Sequence, residues 1–319
     1  MKILITGSSG FIGFHLSRYL LSKKHLIYGL DNLNKYYDIK LKDQRLKILS
    51  KYKKFKFYKL DINETKKIEK IIIKNKISHV IHLAAQAGVR FSILNPQTYV
   101  KNNINGFFSI LQACKNTKIK HLIYASTSSV YGNDNRQPSK ETNSTDFPLS
   151  FYAATKKSNE VMAYAFSNIY GLSTTGLRFF TVYGSYGRPD MALFKFSKAI
   201  KERNTIYLYN NGNHKRDFTH VTDVVKYISK LIKKNPLKTP PYQILNIANS
   251  QPEKLKIFLK KIEKHFGKKA NIQNLSMQKG DVKNTYGDTK KIISLTGYKS
   301  TVNIEKGLKE FFIWFDRNH

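Results

Sequence analysis

Tyr152-Ala153-Ala154-Thr155-Lys156 sets a phenol and an ammonium four residues apart. On a helix that spacing puts both side chains on one face. An ammonium near a phenol stabilises phenolate, lowers the tyrosine pKa and fits it for proton transfer near neutral pH. The same lysine can reach a ribose. Ahead of the pair, His121 to Ala125 reads as a strand that runs into Ser126-Thr127-Ser128-Ser129-Val130-Tyr131-Gly132. So many hydroxyls at the mouth of a sheet are hydrogen-bonding equipment rather than core. A chain with 20 tyrosines and 56 Lys and Arg residues produces Tyr-x-x-x-Lys by chance, so the pair needs a second signal.

That signal stands at the N-terminus. Lys2 to Thr6 reads as a short apolar strand, Gly7-Ser8-Ser9-Gly10-Phe11-Ile12-Gly13 follows, and Leu16, Leu20 and Leu21 continue as a helix. Gly7 permits a tight turn, Gly10 lets the backbone approach a pyrophosphate, and Gly13 lets helix lie close on strand. The helix N-terminus then faces the phosphates. Gly-x-x-Gly-x-x-Gly alone also fits a plain turn in any α/β protein; the flanking strand and helix favour a dinucleotide. Leu26 to Leu30 is a second strand ending in Asp31. A carboxylate there accepts from both ribose hydroxyls and repels a 2′-phosphate, which favours NAD over NADP.

Strand and helix patterns alternate onward. Tyr37 to Tyr52 and Lys66 to Asn75 read as helices, and Phe55 to Leu60 as a third strand with Asp61-Ile62 placed to border an adenine. Val80 to Leu83 leads into the small-residue loop Ala84-Ala85-Gln86-Ala87-Gly88-Val89-Arg90. Helices follow over Asn102 to Ala113 and Ala153 to Ile169, with a sixth strand over Ser173 to Leu177. The alternation predicts an α/β fold, a Rossmann-type doubly wound parallel sheet, with a smaller C-terminal α/β substrate-binding domain. The expected boundaries put residues 1–177 in the NAD-binding domain with 212–234 returning to it, and 178–211 and 235–319 in the substrate domain.

Composition excludes several classes. One cysteine, Cys114, permits no intrachain disulfide, which suits a reducing cytoplasm. No apolar run approaches a membrane span, and the N-terminus has no signal-peptide pattern, so no stable membrane association is expected. The net charge is +35, spread along the chain as solvated helix faces without an arginine-rich block or a nucleic-acid motif. No nucleic-acid partner is expected, although a positive field helps capture acidic substrates. The nine histidines form no metal-ligand spacing.

The chain resembles the extended short-chain dehydrogenase/reductase family along its whole length, within it the nucleotide-sugar epimerases, and most narrowly the UDP-glucuronate 4-epimerases. The likeness rests on Asp31-Asn32-Leu33-Asn34-Lys35-Tyr36-Tyr37-Asp38, on 82–90, and on Leu149-Ser150-Phe151-Tyr152-Ala153-Ala154-Thr155-Lys156-Lys157. It continues through 176–184 and Gly187-Arg188-Pro189-Asp190-Met191-Ala192-Leu193-Phe194-Lys195-Phe196. The resemblance implies that Tyr152 is the catalytic base and acid, that Lys156 holds the nicotinamide ribose, and that Thr127 hydrogen-bonds the sugar O4. It implies NAD contacts from Gly7, Gly10, Phe11, Ile12, Gly13, Asp31, Asn32, Asp61, Ile62, Leu83, Ala84 and Ala85. It implies UDP-sugar contacts from Arg90, Ser128, Ser129, Thr181, Arg188, Met191, Lys195, Tyr209, Arg216 and Asp281.

The implied reaction oxidises the sugar C4 to a ketone and reduces it from the other face, with NAD regenerated in each turnover. A 4-keto glucuronate is a β-keto acid, which loses CO₂ when its C–COO⁻ bond lies parallel to the carbonyl π orbital. Thr127, Ser128, Thr181 and Arg188 are suited to holding the carboxylate in another orientation, with phosphate binding as the alternative role of Arg188. Related dehydratases and decarboxylases carry Glu where this chain has Ser129, which disfavours both of those reactions. Thr127 replaces the Ser of many relatives, and Lys279 replaces a proline before Gly280-Asp281. UDP-glucose or UDP-N-acetylglucosamine is the rival substrate. Surplus apolar side chains on the helices at 102–113 and 153–169 imply a homodimer, as in the family.

Overall fold

The computed structural model describes residues 1–319. The first half alternates as expected: β1 (Lys2–Thr6), α1 (Phe11–Ser22), β2 (Leu26–Asp31), α2 (Ile39–Ser50), β3 (Phe55–Lys59), α3 (Thr65–Asn75) and β4 (His79–His82). Next come the short helices α4 (Val89–Leu94) and α5 (Pro96–Tyr99), a π-helical turn at Val100–Asn105, and α6 (Gly106–Asn116). The helix expected over 102–113 is therefore two elements, with a widened turn at its start. Then follow β5 (His121–Thr127), α7 (Phe151–Tyr170), β6 (Thr174–Phe179) and β7 (Thr181–Tyr183).

The second half holds α8 (Ala192–Glu202), β8 (Thr205–Tyr209), β9 (Lys215–His220), α9 (Val221–Leu231), β10 (Tyr242–Ile247) and β11 (Pro252–Lys254). It closes with α10 (Leu255–Phe266), β12 (Asn271–Leu275), α11 (Lys290–Thr296) and α12 (Ile304–Asn318). The C-terminal stretch thus carries three helices.

Seven strands form one sheet in the order β10-β6-β5-β4-β1-β2-β3, every pair parallel. β5 and β6 are buried along nearly their whole length, as central strands covered on both faces must be. Phe14, Leu16, Val224, Ile228 and Ile292 cover one face. Ile68, Ile72, Phe107, Ile110 and Ala163 cover the other. A separate aromatic core, with Phe194, Phe258, Phe311 and Phe315, joins α8, α10 and α12 beside β8. The remaining strands make a small sheet β11-β9-β7 and the pair β12-β8.

One boundary needs correction. β10 pairs with β6, Leu245 opposite Leu177, so residues 242–247 belong to the large sheet and not to the 235–319 segment. Ile292 of α11 packs in the core of that same sheet. The edge of β6 would otherwise stand open, and a late strand covers it.

α7 starts at Ser150, whose Oγ accepts from Ala153 N at 3.2 Å, and ends at Gly171 in the left-handed region at φ 64°. Behind it, Arg178 and Glu160 form a two-pronged pair, Nε to Oε1 at 2.9 Å and Nη2 to Oε2 at 2.8 Å. Ser126 Oγ donates to the same carboxylate at 2.6 Å. The two side chains are 4% and 3% exposed. Arg178→Met strands a buried carboxylate and is expected to cost about 3–5 kcal/mol, read as a lower midpoint in urea unfolding. Adding Glu160→Leu should recover most of that loss.

Candidate active site

Strand order reverses between β1 and β4, and a crevice opens outside their C-terminal ends. Gly7 sits at φ 71°, and a Cβ there would fall 2.7 Å from Ala84 N. The turn after β1 therefore lies against the loop after β4. A Cβ on Gly13 would meet Gly7 O at 2.1 Å, so α1 rests directly on that turn. No side chain caps α1, which leaves its first N–H groups for an anion.

Asp31 is buried at the end of β2. Its Oδ2 accepts from Ser9 N at 3.1 Å and its Oδ1 from Leu33 N at 2.9 Å. Gly7, Gly10, Phe11, Ile12, Gly13, Asp31, Asn32, Ile62, Leu83, Ala84 and Ala85 line one end of a single cavity of about 770 Å³. Asp61 is the exception: it does not line the wall. Its carboxylate accepts from Asn63 N at 3.0 Å, Asn63 Nδ2 at 2.7 Å and Asn32 Nδ2 at 3.1 Å. Burial pushes this carboxyl up, but the hydrogen bonds outweigh it and hold Asp61 below the usual range.

Tyr152 and Lys156 project from the first two turns of α7 into the middle of the cavity. Lys156 is 2% exposed, and its Nζ donates to Ala125 O at 3.0 Å. Burial without a carboxylate partner lowers the ammonium pKa to about 8. The Tyr152 phenol is pushed up by burial, opposed by the Arg188 cation and by a hydrogen bond with Thr127. Arg188, from a separate loop, is thus a further cation acting on the phenol. Thr127 Oγ1 accepts from Ser129 N and donates to Ser129 Oγ, both at 3.2 Å, which folds Ser128 and Ser129 into a tight turn facing the cavity.

The other end is built from the second half of the chain. Thr181, Met191, Lys195, Tyr209, Arg216 and Asp281 all line it, with Arg90 from the loop after β4. Arg216 Nη2 donates to Asp281 Oδ1 at 3.0 Å, and the Arg90 guanidinium lies 4.3 Å from the Tyr209 ring centre. Arg188 is not free. Its Nε donates to Asp190 Oδ1 at 2.9 Å, its Nη2 donates to Asp190 Oδ2, and Tyr36 OH donates to that second oxygen at 3.2 Å.

Tyr36, Asp190 and His214 were not singled out from the sequence, yet all three line the cavity. His214 Nε2 is buried there without a partner. Tyr36 and Asp190 stand inside stretches that carried the family resemblance, which is the one signal that could have found them. Asn103, in the π-helical turn, grips Gln86 through its backbone N at 2.8 Å and O at 3.0 Å, and donates to Thr155 Oγ1 at 3.1 Å. It ties the loop after β4 to α7.

Residues 3–248 match the NAD dependent epimerase/dehydratase family. The chain belongs to that family. It is 40% identical to the UDP-glucuronate 4-epimerase of Thermodesulfobacterium geofontis, over 99% of this chain and 96% of the other. It is 45% identical to Protein CapI of Staphylococcus aureus, over 99% and 98%. The crystal structure of UDP-glucuronic acid 4-epimerase from Bacillus cereus, in complex with UDP-glucuronic acid and NAD, superposes with a TM-score of 0.94. That match is at 32% identity and covers 100% of both chains.

This epimerase uses NAD, and its residues fit the cofactor. The uncapped α1 and side-chain-free Gly7 and Gly10 suit a pyrophosphate, Asp31 suits a ribose, and Lys156 keeps donor capacity beyond its bond to Ala125. No helix in the structure is long and apolar enough to cross a membrane.

Lys156 also makes a stability prediction. Its folded pKa, about 8, lies below the 10.5 of the free side chain, so the unfolded chain binds the extra proton between those values. Stability must rise with pH across that window. In NAD-free protein, Lys156→Met is expected to raise stability at neutral pH by at most ~3 kcal/mol. The gain should shrink as pH climbs from about 8 to 10.5, checked by urea unfolding at each pH.

Proposed function

We propose that this epimerase converts UDP-glucuronate to UDP-galacturonate in the cytoplasm, for surface polysaccharide. The observation that carries the reading is that Thr127, Ser128, Ser129, Thr181 and Arg188 line the same cavity as Tyr152, with no carboxylate at 129. Those groups can hold a sugar carboxylate and donate to it from several directions. The named relatives at 40% and 32% identity support the same substrate.

Tyr152 in its phenolate form takes the proton of the sugar 4-hydroxyl and later returns one to the product alkoxide. Bound NAD supplies reversible acceptance of the hydrogen on C4. Thr127 orients the same hydroxyl beside Tyr152. Lys156 holds the cofactor ribose, and its charge close to the phenol favours the proton transfer. Thr181, Ser128, Ser129 and Arg188 keep the carboxylate away from the alignment that releases CO₂. Arg90, Lys195, Tyr209, Arg216 and Asp281 grip the nucleotide, which stays bound while the ketone turns over.

One observation favours the rival substrate, UDP-glucose or UDP-N-acetylglucosamine. Arg188 is already matched by Asp190, which leaves no net positive charge there. Incubation with a panel of UDP-sugars, followed by separation of epimers and assay of CO₂, decides between them. UDP-galacturonate without CO₂ is expected. Tyr152→Phe should lower kcat by about 10²–10⁴ while leaving UDP binding intact.

The homodimer is proposed on the outer faces of α6 and α7, where Phe108, Val161, Tyr164, Ile169 and Tyr170 are exposed. Exposed apolar side chains on two such helices are what a partner copy covers. Light scattering should give twice the chain mass, and Val161→Glu should halve it.

A further inference from the structure

We propose that Asp190 is a built-in stand-in for the substrate's carboxylate, and that its hold on Arg188 sets how strongly the cavity prefers an acidic sugar. This rests on the uronate reading above. Asp190 engages Arg188 through two parallel N–H···O bonds, the arrangement a guanidinium fork offers any carboxylate. The two side chains are 22% and 26% exposed, so the pair stands at the cavity wall and not in bulk solvent. Both line the same cavity as Tyr152.

A third loop completes the device. Tyr36 OH donates to Asp190 Oδ2 at 3.2 Å. Gly88 makes room for it, because a Cβ there would fall 2.8 Å from the Tyr36 hydroxyl and 3.9 Å from Asp190 Oδ2. Gly88 also holds φ 109°, which side-chain-bearing residues rarely adopt. Asp190 therefore keeps one partner, Tyr36, when it leaves the fork.

The energetic logic is an exchange. An arginine taken out of water with no anion beside it is costly, and Asp190 compensates it while no sugar is bound. A uronate carboxylate gains the fork only by displacing Asp190 from Arg188, which leaves Asp190 with Tyr36 alone. The net gain is then the difference between two similar ion pairs, so a neutral sugar is rejected weakly. Removing Asp190 turns that exchange into a one-sided gain for the acidic substrate. Removing the Tyr36 hydroxyl strengthens the resident pair and works against the uronate.

The test measures dissociation constants of UDP, UDP-glucose and UDP-glucuronate by calorimetry on NAD-loaded enzyme. In Asp190→Asn, UDP-glucuronate should gain on UDP-glucose by on the order of tenfold, the scale of one charge-assisted pair. In Tyr36→Phe the ratio should move the opposite way by several-fold. UDP itself should bind both variants as it binds the parent, which also reports an intact cavity. An unmoved ratio, or an Asp190→Asn ratio shifted towards UDP-glucose, overturns the proposal. If Asp190→Asn does not fold, the Tyr36→Phe ratio alone decides. A parent enzyme that binds UDP but neither binds nor epimerises UDP-glucuronate sinks the uronate reading itself. A normal parent with unmoved ratios sinks only the role of Asp190.

Discussion

The approach of two turns at the point where strand order reverses governs the rest of the molecule. β1 and β4 are adjacent and parallel, and the chain leaves their ends towards opposite sides of the sheet. Gly7 and Ala84 meet there so closely that no side chain fits between them. That contact fixes the cofactor end of the cavity. It also fixes the loop from Gln86 to Arg90, which reaches the opposite end and stacks on Tyr209. A distortion at Gly7 would therefore be felt at both ends.

Charge handling is the second constraint. The chain has 56 basic residues and 21 acidic ones, so most cations must do without an acid. Three acids meet arginines that are largely withdrawn from water: Glu160 on Arg178, Asp190 on Arg188, Asp281 on Arg216. Arg45, fully buried, has no carboxylate. It is held instead by Ser9 O at 2.9 Å, Tyr186 O at 2.7 Å and Tyr37 OH at 2.7 Å. Backbone carbonyls replace acids that the composition does not supply. The surplus positive charge thus remains at the surface, where it adds a field and little structure.

The parts legible in the sequence are the local ones. Gly7, Gly10 and Gly13 carry their own reason, and so does the four-residue spacing of Tyr152 and Lys156. The alternation of strand and helix predicted the parallel sheet. β10 was not legible, because its six residues have meaning only beside β6. Tyr36, Gly88, Arg188 and Asp190 come from three separate loops, and no spacing joins them. The hydrogen bonds that Asp61 accepts from Asn63 and Asn32 were not read from the sequence. The burial of the Tyr152 phenol and its exposure to the Arg188 charge were not legible either, because spacing reveals neither.

Lys156 stands apart from this pattern. Arg178, Arg188 and Arg216 each have a carboxylate, whereas Lys156, more buried than Arg188 or Arg216, has one carbonyl. A lysine left so poorly compensated is a cost to the fold, and folds keep such residues where function requires them. A paired lysine would be stable but inert, its charge cancelled and its protons spoken for. With only Ala125 as partner, its remaining protons and its field stay available to the phenol and to a ribose. The missing carboxylate is therefore part of the site's chemistry, and the rest of α7 supplies the stability that offsets it.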